Sequence, residues 1–100
     1  MDRYYEQINE LVLGLLVPAR TQKVIDREIF QKFCDILEEI ETEVKGEASI
    51  QRKIAGLLFF IYRSLSNEVT TNDYKDELFR AVGKLEEILD KILWDSPFKE

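Results

Sequence analysis

The sequence predicts an all-α fold, an antiparallel up-down four-helix bundle occupying residues 1–100 as a single domain, and three observations carry that prediction. Apolar residues recur at three- and four-residue steps in four separate stretches, and nothing alternates with the two-residue period of a strand. Proline, glycine and short hydroxyl- or acid-bearing residues fall between those stretches, where helices stop and start. The connections are short, so the simplest way to bury four apolar stripes together is an antiparallel bundle.

The first helix is expected over about 2–17, with Tyr4, Ile8, Leu11, Val12, Leu15 and Leu16 on one stripe. Pro18 is expected to stop it, because proline cannot continue the hydrogen-bond ladder. The second is expected over about 26–45 with Ile29, Phe33, Ile36, Leu37, Ile40 and Val44 inward, closed by a left-handed Gly46. Ser49 is expected to cap the third, over about 49–66, whose stripe is Ile50, Ile54, Leu57, Leu58, Ile61 and Leu65. That helix is apolar nearly all round through Leu57-Leu58-Phe59-Phe60-Ile61-Tyr62. Phe59 and Phe60 are read as part of a broad buried face, with a dimer or partner surface as the alternative. The fourth is expected over about 71–95, opening on the capping pattern Thr70-Thr71-Asn72-Asp73 and running on Leu78, Val82, Leu85, Leu89 and Ile92.

The residue inventory excludes most chemistry. The chain has no histidine, which removes the Ser-His-Asp and Cys-His nucleophile systems and every His-containing metal site. Cys34 is the only cysteine, so paired-thiol redox and metal motifs are absent; it is read as a small core residue at the edge of its stripe. Gly14, Gly46, Gly56 and Gly83 are scattered and form no phosphate-binding loop. The acidic run Glu38-Glu39-Ile40-Glu41-Thr42-Glu43 is read as a solvated face rather than a cation site. The expectation is a protein that is not an enzyme and carries no cofactor and no metal. The start of the chain does not read as a signal peptide, and its apolar runs are too short to span a membrane. A cytoplasmic protein is expected.

Charge is polarised along the chain. Residues 26–47 hold eight acids against three bases, whereas residues 49–66 hold Arg52, Lys53 and Arg63 with no acid. The net charge of −6 opposes binding to nucleic acid or adsorption to anionic lipid. On the fourth helix, a rotation of about 100° per residue places Arg80, Lys84, Glu87, Lys91 and Trp94 opposite the core stripe. A tryptophan ending a largely basic outer stripe is a candidate contact site. The competing reading has Trp94 folding over the bundle end with Phe98 while the lysines serve solubility.

The stretch Ser49-Ile50-Gln51-Arg52-Lys53-Ile54 through Leu57-Leu58-Phe59-Phe60-Ile61-Tyr62, then Asn67-Glu68-Val69-Thr70 and Tyr74-Lys75-Asp76-Glu77-Leu78, resembles the immunity proteins for class IIa (pediocin-like) bacteriocins. The likeness is greatest to the enterocin A immunity branch, with a streptococcal member expected, and it covers most of the chain through soft helical patterns. It implies a cytoplasmic four-helix bundle, at most peripheral at the inner face of the membrane, that protects a bacteriocin producer. The partner it implies is the complex of bacteriocin with the membrane mannose phosphotransferase permease, engaged from inside. It also implies that the C-terminal part sets specificity, which singles out Arg80, Lys84, Lys91, Trp94, Phe98 and Lys99 as partner-binding candidates. Two features depart from the family pattern: many relatives are basic, and the tail Ser96-Pro97-Phe98-Lys99-Glu100 is shorter than in many of them. The alternatives are a small regulatory or inhibitory adaptor for a soluble host protein and a homodimer formed through Phe59 and Phe60. A monomer or weak homodimer is expected.

Overall fold

The computed structural model describes residues 2–93. It contains four helices, α1 (Asp2–Gln22), α2 (Arg27–Val44), α3 (Arg52–Asn67) and α4 (Glu77–Leu93), and no strand among the described residues. All four pack their apolar stripes into one core. Tyr4, Ile8, Leu15 and Ala19 come from α1, and Phe30, Phe33, Cys34, Leu37 and Ile40 from α2. Ile54, Leu58, Ile61 and Leu65 come from α3, and Leu78, Ala81, Val82, Leu85, Leu89 and Ile92 from α4.

Helix direction alternates along the chain, and specific contacts show which helices lie side by side. Lys53 at the start of α3 sits over the Tyr5 ring at 4.5 Å and near Asp2 at 3.6 Å, so α1 and α3 run parallel and adjacent. Arg27 at the start of α2 pairs with Glu77 at the start of α4, so these two also run parallel and adjacent. The α1–α2 and α3–α4 hairpins are thus laid one against the other, and the 45–51 connection crosses between α2 and α3 on opposite corners. Gly14 marks a close crossing of α1 and α2: a Cβ there would stand 2.5 Å from Ile29 Cδ1.

Three helix ends differ from expectation. α1 passes through Pro18 for another turn. Proline's fixed φ suits a helix and costs one backbone hydrogen bond, while continuation buries Ala19 completely. The helix ends when Lys23 takes a left-handed conformation (φ 58°), its N–H bonding Ala19 O at 3.1 Å, and Ile25 then plugs into the core. α3 begins at Arg52 rather than Ser49, with Gln51 at the N-cap making no side-chain cap bond. α4 begins at Glu77, because Thr71 and Asp73 spend their side chains on an intervening turn. Thr71 Oγ1 accepts from Asp73 N–H at 3.1 Å and Asp73 Oδ1 from Lys75 N–H at 2.9 Å. The cap is Asp76, accepting from Phe79 N–H at 2.9 Å. At α2 the expected ends hold: Asp26 caps through Ile29 N–H at 3.1 Å. Gly46 is left-handed (φ 82°), and Glu47 N–H closes onto Val44 O at 2.9 Å. The expected extension of α4 to residue 95 lies outside the described residues.

No helix among the described residues is long and apolar enough to cross a membrane.

Candidate interaction surface

The α4 stripe is where the sequence placed the most weight. Arg80, Lys84, Glu87 and Lys91 are all exposed, as the helical spacing requires. Their surroundings, however, are set by the neighbouring helix. Arg27 meets Glu77, and one heptad on Lys84 is near enough to Cys34 to act on its thiol electrostatically. The helix that carries these cations therefore packs beside α2, the most acidic helix. Trp94, Phe98 and Lys99 lie outside the described residues.

The outer side of α3 carries the larger surprise. Leu58 and Ile61 are fully buried, while between them Phe59 is 58% and Phe60 45% exposed. The broad buried face expected for this helix is therefore corrected: the core takes Ile54, Leu58, Ile61 and Leu65 and leaves the aromatic pair in water. The geometry follows from 100° per residue, since four consecutive residues cannot all face one core. Arg52, Gly56 and Arg63 share the exposed side with the pair, and the Arg63 guanidinium stands 6.0 Å from the Phe59 ring centroid. Two exposed phenylalanines bordered by two arginines form an apolar, cationic surface that no core packing explains. The signal was present in the sequence: the neighbours of Phe59 and Phe60 three and four residues away include Gly56 and Arg63, with Arg52 two turns before Phe59.

On the α4 side of α3, Tyr62 is half-buried and donates its hydroxyl to the Glu86 carboxylate. That bond raises the Tyr62 pKa above the ordinary tyrosine range, with burial adding to it. Tyr74, in the turn before α4, is exposed and packs edge-on against Phe79 at 5.5 Å.

Cys34 is buried, and burial pushes its thiol pKa upward, with Lys84 opposing the shift; such a thiol is inert. The acids Glu38, Glu39 and Glu43 are solvated, with Glu41 half-buried, and no group of histidine, cysteine or acidic side chains suited to a metal ion occurs among the described residues. An open groove between α1 and α2 is lined by Gln7, Glu10, Lys32, Asp35 and Glu39. Of its carboxylates, Asp35 already accepts from Gln31 at 2.9 Å. Compared with models of protein families, with curated proteins and with solved structures, the chain matches none.

Proposed function

We propose that this protein is a bacteriocin immunity protein. On this reading it acts by non-catalytic contact with the complex of a class IIa-type bacteriocin and the mannose phosphotransferase permease, from the cytoplasmic side. The observation that carries the reading is the solvent-exposed Phe59–Phe60 pair flanked by Arg52 and Arg63. These residues fall in the very stretch that resembles the family's third helix. Aromatic and arginine side chains are those most enriched at binding hot spots, and a bundle gains nothing in stability by exposing them. The net charge of −6 disfavours adsorption to anionic lipid, so the surface is read as fitting a protein loop whose acidic groups meet the arginines. Lys84 and Lys91 are read as a second, weaker contact, because the acidic helix α2 packs beside α4.

Capture from membranes tests this. The purified chain is immobilised and exposed to detergent-solubilised membranes of a sensitive lactic-acid bacterium, with and without a class IIa peptide. Retention of the permease only when peptide is present, and its loss with Phe59→Ser combined with Arg63→Glu, is the expected result. Retention of a soluble enzyme in its place sinks the reading and favours a regulatory adaptor.

A further inference from the structure

The outward side of α1 has a charge order of its own. Glu6, Glu10, Leu13, Val17 and Arg20 follow one another at steps of four, three, four and three residues. That spacing lines them along one edge of the helix in the manner of a coiled-coil seam. All five are exposed, Leu13 at 72% and Val17 at 51%, while Tyr4, Ile8, Leu15 and Ala19 fill the core from the opposite side. The order along the edge is acid, acid, aliphatic, aliphatic, base. Such a stripe is complementary to a reversed copy of itself and repels a copy laid parallel, which would set Glu10 against Glu10 and Arg20 against Arg20.

We propose that α1 pairs with α1 of a second copy of this chain, antiparallel, about a two-fold axis passing between Leu13 and Val17. In that register Leu13 packs on the partner's Val17, and Val17 on the partner's Leu13. Glu10 meets the partner's Arg20 at one end and Arg20 meets the partner's Glu10 at the other, as an isologous interface requires. Arg20 is available for this: its guanidinium Nε is 3.8 Å from Glu68, which is held more closely by Lys23 at 2.6 Å, and its side chain is 81% exposed. The pairing uses none of Phe59, Arg63 or the α4 cations, so it stands independently of what those residues bind.

Sedimentation velocity of the full chain over rising concentration tests the pairing, with circular dichroism showing that each variant is folded. The native chain forms a dimer with a dissociation constant on the order of 10–100 μM, as suits a small interface. Glu10→Arg or Arg20→Glu alone raises that constant at least about tenfold, and the double reversal restores pairing. Leu13→Lys, which touches neither charge, abolishes the dimer. A native chain that stays monomeric throughout overturns the proposal. So does a dimer indifferent to Leu13→Lys, or one that both single reversals weaken but the double reversal does not rescue.

Discussion

Replacing Leu58 and Phe59 with alanine, one at a time, separates core from surface on adjacent residues of α3. Leu58 is completely buried and packs within the shared core. Its truncation removes buried methyl groups and leaves a cavity that helices on either side cannot fully close, a loss of about 3 kcal/mol within the range of roughly 2–5 for such changes. Phe59 is the larger side chain but is 58% exposed. Its removal opens no cavity, because water takes the vacated space, so only the covered fraction of its transfer energy is lost, about 1 kcal/mol or less. A domain of this size has roughly 5–15 kcal/mol of stability to lose. One kcal/mol moves the midpoint of thermal unfolding by about 4–8 °C, so Leu58→Ala falls by more than about 12 °C and Phe59→Ala by a few degrees. Urea titration followed by helical circular dichroism measures both, and an unchanged m-value shows that the comparison is of stability alone. Equal losses for the two variants would refute the placement of Phe59 on the surface and with it the candidate interface.

The glycines give a signed comparison. Gly46→Ala loses about 1 kcal/mol because φ is +82° there although the space is open, whereas Gly83→Ala, in an exposed helical position with nothing near its Cβ, gains about 0.5–1 kcal/mol; urea midpoints shifting in the same direction would contradict the turn geometry at Gly46. The Lys23–Glu68 pair gives a pH dependence. The hydrogen bond from Lys23 lowers the Glu68 pKa below its ordinary 4.5. A carboxyl depressed on folding adds stability that is present above its unfolded pKa and disappears as pH falls through the folded value. Thermal scans of the native chain and of Lys23→Gln should therefore differ at neutral pH and converge in acid below the ordinary carboxylate range. A difference that persists unchanged there would contradict the pairing.

Local signals were legible where one residue type decides the outcome. α2 starts beside Asp26, Gly46 supplies a positive φ, and the stripe of α4 falls on the core as its spacing requires, whereas on α2 Phe30 is buried and the expected Ile29, Ile36 and Val44 are only partly so. Signals failed where tertiary packing outweighed them. Pro18 stays inside α1 because the following turn buries Ala19 and positions Ile25. Ser49 and Thr71 are both good caps by type, but Ser49 stands before the helix begins and Thr71 is used in a turn that precedes Asp76. The candidate surface was half legible. Exposure of Arg80, Lys84 and Lys91 follows from periodicity alone. That α2 lies beside them is a matter of which helices are neighbours, and no stripe encodes it. Phe59 and Phe60 show the limit most plainly: hydrophobicity alone draws them inward, whereas the three- and four-residue neighbours Gly56 and Arg63 turn them out.

The central claim, that this bundle confers immunity by contact, is tested most directly by a resistance assay. The chain is expressed in a sensitive lactic-acid bacterium, and growth is titrated against a panel of pediocin-like peptides. The account predicts that the inhibitory concentration rises for one or a few of the peptides and returns to the control value with Phe59→Ser combined with Arg63→Glu. Unchanged sensitivity to every peptide, in cells that accumulate the folded chain, would contradict it.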